Sequence, residues 1–449
     1  MQLKEQKISI PAAPRHSNLI FQIQKAFEFR LEKGAFPVRF SIVNINDSHY
    51  ECEFGTLSEI DYGAIKKPES IFRFVPRKFE RTKDFNAIFL VPTGIGCEIG
   101  GHAGDATPAA RVLAEACDCL ITHPNVVNAS DLNEMPTNAL YVEGSSIARL
   151  MMGTAALQRV RSNRVLMIID DHHVDLFVND TVNAVSAARA TYGLDCLKIV
   201  KLDPPIIMTS EFMDSGRAAG KIEGLDRLCA VLDQNQGNFD AVALASVIQV
   251  DDKCHEEYFR CNGQMVNPWG GVEAMLTHAL SMLYEIPAAH SPMLESNAIA
   301  DLDLGVVDSR LAAEAVSLTF SQCMLKGLQR SPRIITDPEL MRESGILTSA
   351  DISCLIIPDK CVGLPTLAAL EQGIPVIAIR ENENLMRNDL NCLPWAEGQF
   401  HLVENYWEAV GVMTAIKAGI TPASLRRPLE HTRVEEKRIK SELLMQNHT

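Results

Sequence analysis

Asn86-Ala-Ile-Phe-Leu-Val-Pro-Thr-Gly-Ile-Gly-Cys-Glu-Ile-Gly-Gly-His-Ala-Gly-Asp105 is the stretch from which the rest of the chain can be read. Residues 88–91 form an apolar run of strand type. Gly94, Gly96, Gly100, Gly101 and Gly104 follow in a loop that also carries Thr93, Cys97, His102 and Asp105. Glycine lets a backbone turn tightly and come close to a neighbour with no Cβ in the way. Thr107 as N-cap and Pro108 in the first turn then predict a helix through residue 117. Strand, glycine-rich loop and helix in that order aim N–H groups and the positive end of a helix at an anion. The spacing misses the dinucleotide fingerprint by one position, and no Gly-Lys-Ser/Thr closes the loop. The reading is a ligand loop over residues 93–105; a tight turn that packs the helix on its strand is the alternative.

The alternation continues on the C-terminal side. Strand-like runs at 119–122, 139–142, 164–169, 197–202, 241–250, 287–290, 352–357 and 376–379 are separated by helical patterns at 187–192, 224–234, 270–282 and 365–372, with a closing helix at 406–418. This predicts an α/β fold of doubly wound, mostly parallel, Rossmann-like sheets. Residues 1–84 read differently: a helical pattern over 18–32, a hairpin of 38–44 and 50–54 around Asn46-Asp47-Ser48, and an aromatic, basic run over 71–81 that reads as a solvated face. The expected organisation is a small α+β appendage (1–84), a core with the glycine loop (85–330), and a C-terminal α/β segment (331–449) that completes or faces the core.

Composition narrows the function class. The 449 residues are 47% hydrophobic and 22% charged, the balance of a globular protein, and the net charge of −15 argues against nucleic acid or an anionic membrane as partner. Residues 1–10 are too polar for a secretory signal, and no apolar run reaches the length of a membrane span. The 12 cysteines include no Cys-x-x-Cys pair, so they read as thiols of a reducing cytoplasm and not as a zinc site. The expectation is a cytoplasmic protein, compatible with a homo-oligomer, with no metal-site residues assigned; whether a metal is used stays open.

In open parallel sheets the ligand crevice lies outside the carboxyl ends of the strands. The residues that follow the strands here are Thr93 and Cys97, His123 and Asn125, Glu143, Asp170 to His173, Asp251 and Asp252, His290, Asp359 and Cys361, and Glu381 and Asn382. Acid–base chemistry is therefore assigned to some of Cys97, His123, Asp170, His290 and Cys361. Ligand binding is assigned to Thr93, Gly94, Gly96, Gly100, Gly101, Asp105, Asn125, Glu143, Gly271 and Gly363. The run Asp170-Asp-His-His-Val-Asp175 has metal-ligating side chains, but adjacent residues rarely converge on one ion, so it reads as a strand end and helix cap. Gly270-Gly-Val-Glu273, with His278 beyond it, is either an anion-binding helix start or a helix whose own carboxylate complements its dipole. Cys97 and Cys361 each follow a strand at a helix start, where thiol pKa falls. Two thiols facing across a cleft resemble the cofactor-independent amino-acid racemases of the aspartate/glutamate type.

Three ordered motifs carry a broader resemblance: Val91-Pro-Thr-Gly-Ile-Gly-x-x-Ile-Gly-Gly-x-Ala-Gly-Asp-Ala106, Leu120-Ile-Thr-His-Pro-Asn-Val126 and Leu140-Tyr-Val-Glu-Gly144. With Gly271-Val-Glu-Ala274, Ile286-Pro-Ala-Ala-His290 and Glu408-Ala-Val-Gly-Val412 they resemble an uncharacterised family of bacterial and plastid proteins over residues 86–428. That family is catalogued as a domain of unknown function and brings no activity with it. Residues 363–377 are similar to the donor-binding helix and following strand of two-domain glycosyltransferases and nucleotide-sugar epimerases.

The function expected is that of an enzyme on a small anionic metabolite, moving a proton at a carbon next to a carboxylate as a racemase, isomerase or lyase does. No cofactor motif is recognisable, so the cofactor stays unidentified. One alternative is glycosyl or nucleotidyl transfer from a nucleotide-diphosphate donor near Gly363; another is a regulatory protein that binds a metabolite without turnover.

Overall fold

The computed structural model describes residues 1–12, 18–28, 30–31, 34–46, 48–60, 68–251, 253–317, 319–429 and 431–436. Asp47 of the expected turn, Asp252, the end of the first expected helix and the tail beyond Glu436 lie outside them.

The apolar runs around the glycine loop form a six-stranded, all-parallel sheet. Its order is Phe400–Val403, Val376–Ile379, Ile352–Pro358, Asn86–Phe89, Cys119–Thr122 and Ala139–Tyr141. The four middle strands are buried along their whole length, as parallel strands covered on both faces must be. Helices Thr107–Glu115, Gly144–Met151, Leu364–Gln372 and Tyr406–Lys417 connect and cover them. Thr107 is not the N-cap: the helix begins at Thr107 itself, and its hydroxyl donates to the Val126 carbonyl at 3.3 Å.

The expectation of mostly parallel sheets fails in the second sheet, which has ten strands and is mixed. Phe36–Ile45, His49–Ser58, Gln2–Pro11, Ala218–Glu223 and Ile207–Phe212 pair antiparallel; Ala241–Gln249, Val165–Asp170, Ile199–Leu202 and Ala288–Met293 continue it in parallel. Gln2–Pro11, Phe36–Ile45 and His49–Ser58, from the first 84 residues, are therefore members of this sheet. Gln2–Pro11 bridges His49–Ser58 to Ala218–Glu223, and helix Leu19–Glu28 ties back to the other half through the Leu19 N–H on Glu371 at 2.7 Å. Phe27, Phe40, Phe54 and Phe72 make one aromatic cluster, ring centroids 4.8–5.6 Å apart. The basic run is only partly a solvated face: the Arg77 guanidinium donates to the carbonyls of Ile352, Gln372 and Gly373 at 2.9–3.2 Å.

The two sheets are stitched where the sequence placed its ligand loop. Ala218 donates its N–H to the Gly94 carbonyl at 2.8 Å, and Val362–Gly363, just past Ile352–Pro358, pairs with Ile42 and Ser41 as an edge of the ten-stranded sheet. Gly94 sits at φ +77°, and a Cβ there would lie 2.8 Å from the Ala218 oxygen. The close approach that this glycine permits is made by protein.

Candidate functional site

Between the carboxyl ends of the six parallel strands and helix Gly270–Tyr284, which packs on the ten-stranded sheet, runs a crevice of three adjoining chambers. The central one, of about 130 Å³, receives His123, Glu143, Glu273, His278 and His290 from four separate parts of the chain.

His123 ends Cys119–Thr122, and its Nε2 accepts the Val91 N–H at 3.1 Å, so the neutral ring carries its proton on Nδ1. Burial and the nearby His278 push its pKa down to about 3, which keeps it neutral. Glu143 ends Ala139–Tyr141 and caps helix Gly144–Met151, accepting from Ser145 N at 2.9 Å and Ser146 N at 3.1 Å, and also from the Ser145 hydroxyl. The capped carboxylate then faces His278, with Nε2 to Oε1 3.1 Å. Gly144 is what allows this: a Cβ would stand 2.9 Å from the His278 Nε2. With Nε2 engaged as a donor, Nδ1 of His278 is the acceptor, buried and with no partner among the described residues. Burial outweighs Glu143 and holds this imidazole below its ordinary pKa.

A second pair lies across the chamber. His290, on Ala288–Met293, meets Glu273 through Nδ1 at 3.0 Å and the Ser246 hydroxyl through Nε2 at 2.7 Å. Both ring nitrogens are thus in use and the ring is buried, while the Glu273 side chain is 27% exposed toward the chamber.

On one side the crevice continues into an apolar chamber of about 160 Å³ that Arg39, Arg149 and Arg217 line and, among the described residues, no carboxylate lines. Arg217 is fully buried, its Nε 2.7 Å from Glu53 and its Nη2 on Glu5; Nη1 has no partner among the described residues. Arg39 Nη1 donates to the Gly271 carbonyl at 2.8 Å. Glu5 and Glu53 stand behind the guanidiniums, so charge is balanced in the core while a cationic face meets the chamber.

Of the residues singled out from sequence, Thr93, His123, Asn125, Glu143, Cys361, Gly363 and His290 line the three chambers. Asn125 also ties the loop down, its amide donating to the Val91 and Gly100 carbonyls at 2.9 and 2.8 Å. Gly94, Gly96, Gly100, Gly101 and Asp105 line none of the three, whereas Thr93, Ile95, His102 and Ala103 of the same loop do. A Cβ at Gly101 would lie 2.1 Å from the Cys97 oxygen, and Asp105 accepts the Gly100 N–H at 2.9 Å while burial raises its pKa to about 7. Gly271 serves packing too: a Cβ would meet the Ala218 oxygen at 2.1 Å, and Asn267 already accepts the N–H groups of Trp269 and Gly270 at that helix start. Asp170 is buried away from the chambers, accepting the Ile206 N–H at 3.4 Å, with burial raising its pKa to about 7. Cys97 and Cys361 come within electrostatic reach of one another, but burial pushes both thiols well up, so they stay protonated at neutral pH.

Sequence reasoning did not find Arg39, Arg149 or Arg217. For Arg217 there was a local cue: Asp214-Ser215-Gly216 between two alternating runs is a hairpin turn, and Arg217 stands just before its second strand, Ala218–Glu223. Among the described residues no group of three or more His, Cys, Asp or Glu is placed to hold a metal ion, and no helix is long and apolar enough to cross a membrane.

No solved structure matches the chain. An uncharacterized lipoprotein of Synechococcus sp. is 35% identical over 345 residues, 76% of this chain and 94% of that protein. The family model described as "Protein of unknown function (DUF3326)" matches residues 86–426, and the chain belongs to that family.

Proposed function

We propose that the crevice binds a small carboxylate-bearing metabolite and moves a proton at the carbon next to its carboxylate, as a racemase, isomerase or lyase does. One observation carries this: His278, held through Nε2 by a capped Glu143, keeps an Nδ1 lone pair that has no partner among the described residues, beside a chamber whose lining charges among those residues are all cationic. Arg149 and Arg217 take the carboxylate, His278 accepts the proton as general base, and the Nδ1–H of neutral His123 donates to the charge that develops on the substrate. Glu273, oriented by His290, is the second acid–base group on the opposite wall. The strand order of the six-stranded sheet supports a Rossmann-like, doubly wound reading. Its switch point lies between Asn86–Phe89 and Ile352–Pro358, and Thr93 and Cys361 leave those strands into the crevice.

A nucleotide-diphosphate donor is the second reading, favoured by Gly363 and the start of helix Leu364–Gln372, which line the arginine chamber. A cytoplasmic setting belongs to the proposal and rests on 12 cysteines, none of them bridged. The name of the Synechococcus relative supports attachment to a membrane surface as the alternative.

A thermal-shift screen with hydroxy, keto and amino acids, nucleotides and nucleotide sugars tests the reading. A ligand at about 100 times its Kd stabilises by roughly 2.7 kcal/mol, a shift of several degrees. A small carboxylate that stabilises the protein, and does so less in Arg149→Met, is the expected result. A response to nucleotides alone would move the reading to transfer chemistry, and binding with no turnover of the bound carboxylate would leave a regulatory protein.

A further inference from the structure

At the end of the crevice away from the arginines lies a third chamber, of about 180 Å³, larger than the roughly 150 Å³ cavity that holds a benzene ring. Trp269, Phe259 and Phe320 wall it, two carboxylates, Glu273 and Glu314, open onto it, and no Lys or Arg lines it among the described residues. Glu314 is buried with Oε1 crowded by donors: Ala103 N at 2.7 Å, Tyr258 Oη at 3.2 Å and Asn267 Nδ2 at 3.5 Å. His255 lines the same chamber, 8% exposed, its ring tilted against Trp269 at 4.8 Å, and its Nε2 has no partner among the described residues.

This is a set of acceptors without a cation. Burial, with Glu273 nearby, raises the Glu314 pKa to about 7, and burial lowers that of His255 to about 4, so the imidazole is neutral and its unpartnered nitrogen can accept. An ammonium group has three donors and no acceptor, and aromatic faces attract it. We propose that this chamber binds the ammonium group of a primary amine, with Glu273, Glu314 and His255 around the nitrogen and a ring-sized apolar body against Trp269, Phe259 and Phe320. The crevice then holds opposite charges at its two ends, an anion by the arginines and a cation by the glutamates.

Calorimetry on the full chain with three isosteric probes, 2-phenylethylamine, 2-phenylethanol and 3-phenylpropionate, tests this. The amine binds, the alcohol binds at least tenfold more weakly, and the propionate does not displace the amine. Glu314→Gln weakens the amine at least tenfold and leaves the alcohol unchanged. Equal binding of amine and alcohol, displacement of the amine by the propionate, no amine binding, or full amine affinity in a folded Glu314→Gln protein would each overturn the assignment. If that variant does not fold, the three probes on the natural chain still decide it. The two readings share Glu273, but this site uses neither His278 nor the arginines and its test varies Glu314, so failure of the proton-transfer reading leaves it standing, and its own failure leaves that reading intact.

Discussion

The two ends of the crevice carry opposite charge and hold it by opposite means. At one end Arg217 is locked between Glu5 and Glu53, both buried with it, so its charge persists at any pH the fold survives. At the other, Glu314 has only neutral donors, Ala103 N–H, Tyr258 and Asn267, and burial lifts its pKa to about 7. A buried charge with a fixed counter-charge is part of the scaffold; one solvated by dipoles alone is conditional and gains most from a ligand of opposite sign. On the proposed reading, the arginine end is built ready for an anion, and the acidic end acquires its full charge when a cation arrives.

Arg217→Met attacks the difference most directly. It leaves Glu53 without its ion-pair partner and Glu5 with Arg39 alone, at 3.9 Å, and should cost about 3–5 kcal/mol in denaturant unfolding; a loss under 1 kcal/mol would mean that the cluster is no scaffold. Glu314→Gln should behave in the opposite way. Because the folded-state pKa of Glu314 is raised, its contribution to stability is present below its unfolded pKa and is lost as pH climbs through about 7. The natural protein should therefore lose about 2 kcal/mol more than the variant between pH 5 and pH 8, and parallel pH profiles would show that Glu314 is not strained. Smallest in stability is Arg149→Met, whose partners are distant, Ser281 O at 3.5 Å and Glu285 at 4.0 Å. It should cost about 1 kcal/mol or less in unfolding while weakening carboxylate binding about tenfold, read as a reduced ligand-induced rise in Tm.

What the sequence made legible follows the same division. Residues 119–122, 352–357 and 376–379 are apolar runs closed by turn signals, and parallel strands buried on both faces have that pattern, so the six-stranded sheet could be read. Gln2–Pro11 is polar along much of its length, and its partners are His49–Ser58 and Ala218–Glu223; nothing local reveals a pairing with a segment some two hundred residues on. His123 and Glu143 could be placed because each follows a strand; His290, expected at a strand end, sits inside Ala288–Met293. Arg39 and Arg217 could not, because their role depends on Glu5 and Glu53 from remote strands. The glycines are ambiguous for a physical reason: a missing Cβ records that something comes close, and Ala218 against Gly94 leaves the same trace as a phosphate.

The central claim is that His278 takes a proton from a carbon beside a carboxylate. It is tested by NMR of carboxylates that stabilise the protein, incubated with it in D₂O. The account predicts deuterium at that carbon at a rate that His278→Gln lowers by about 10²–10⁴, the share of a general base, while Cys97→Ser and Cys361→Ser leave it within a few fold. Exchange that survives His278→Gln, or a bound carboxylate that never exchanges, would contradict it.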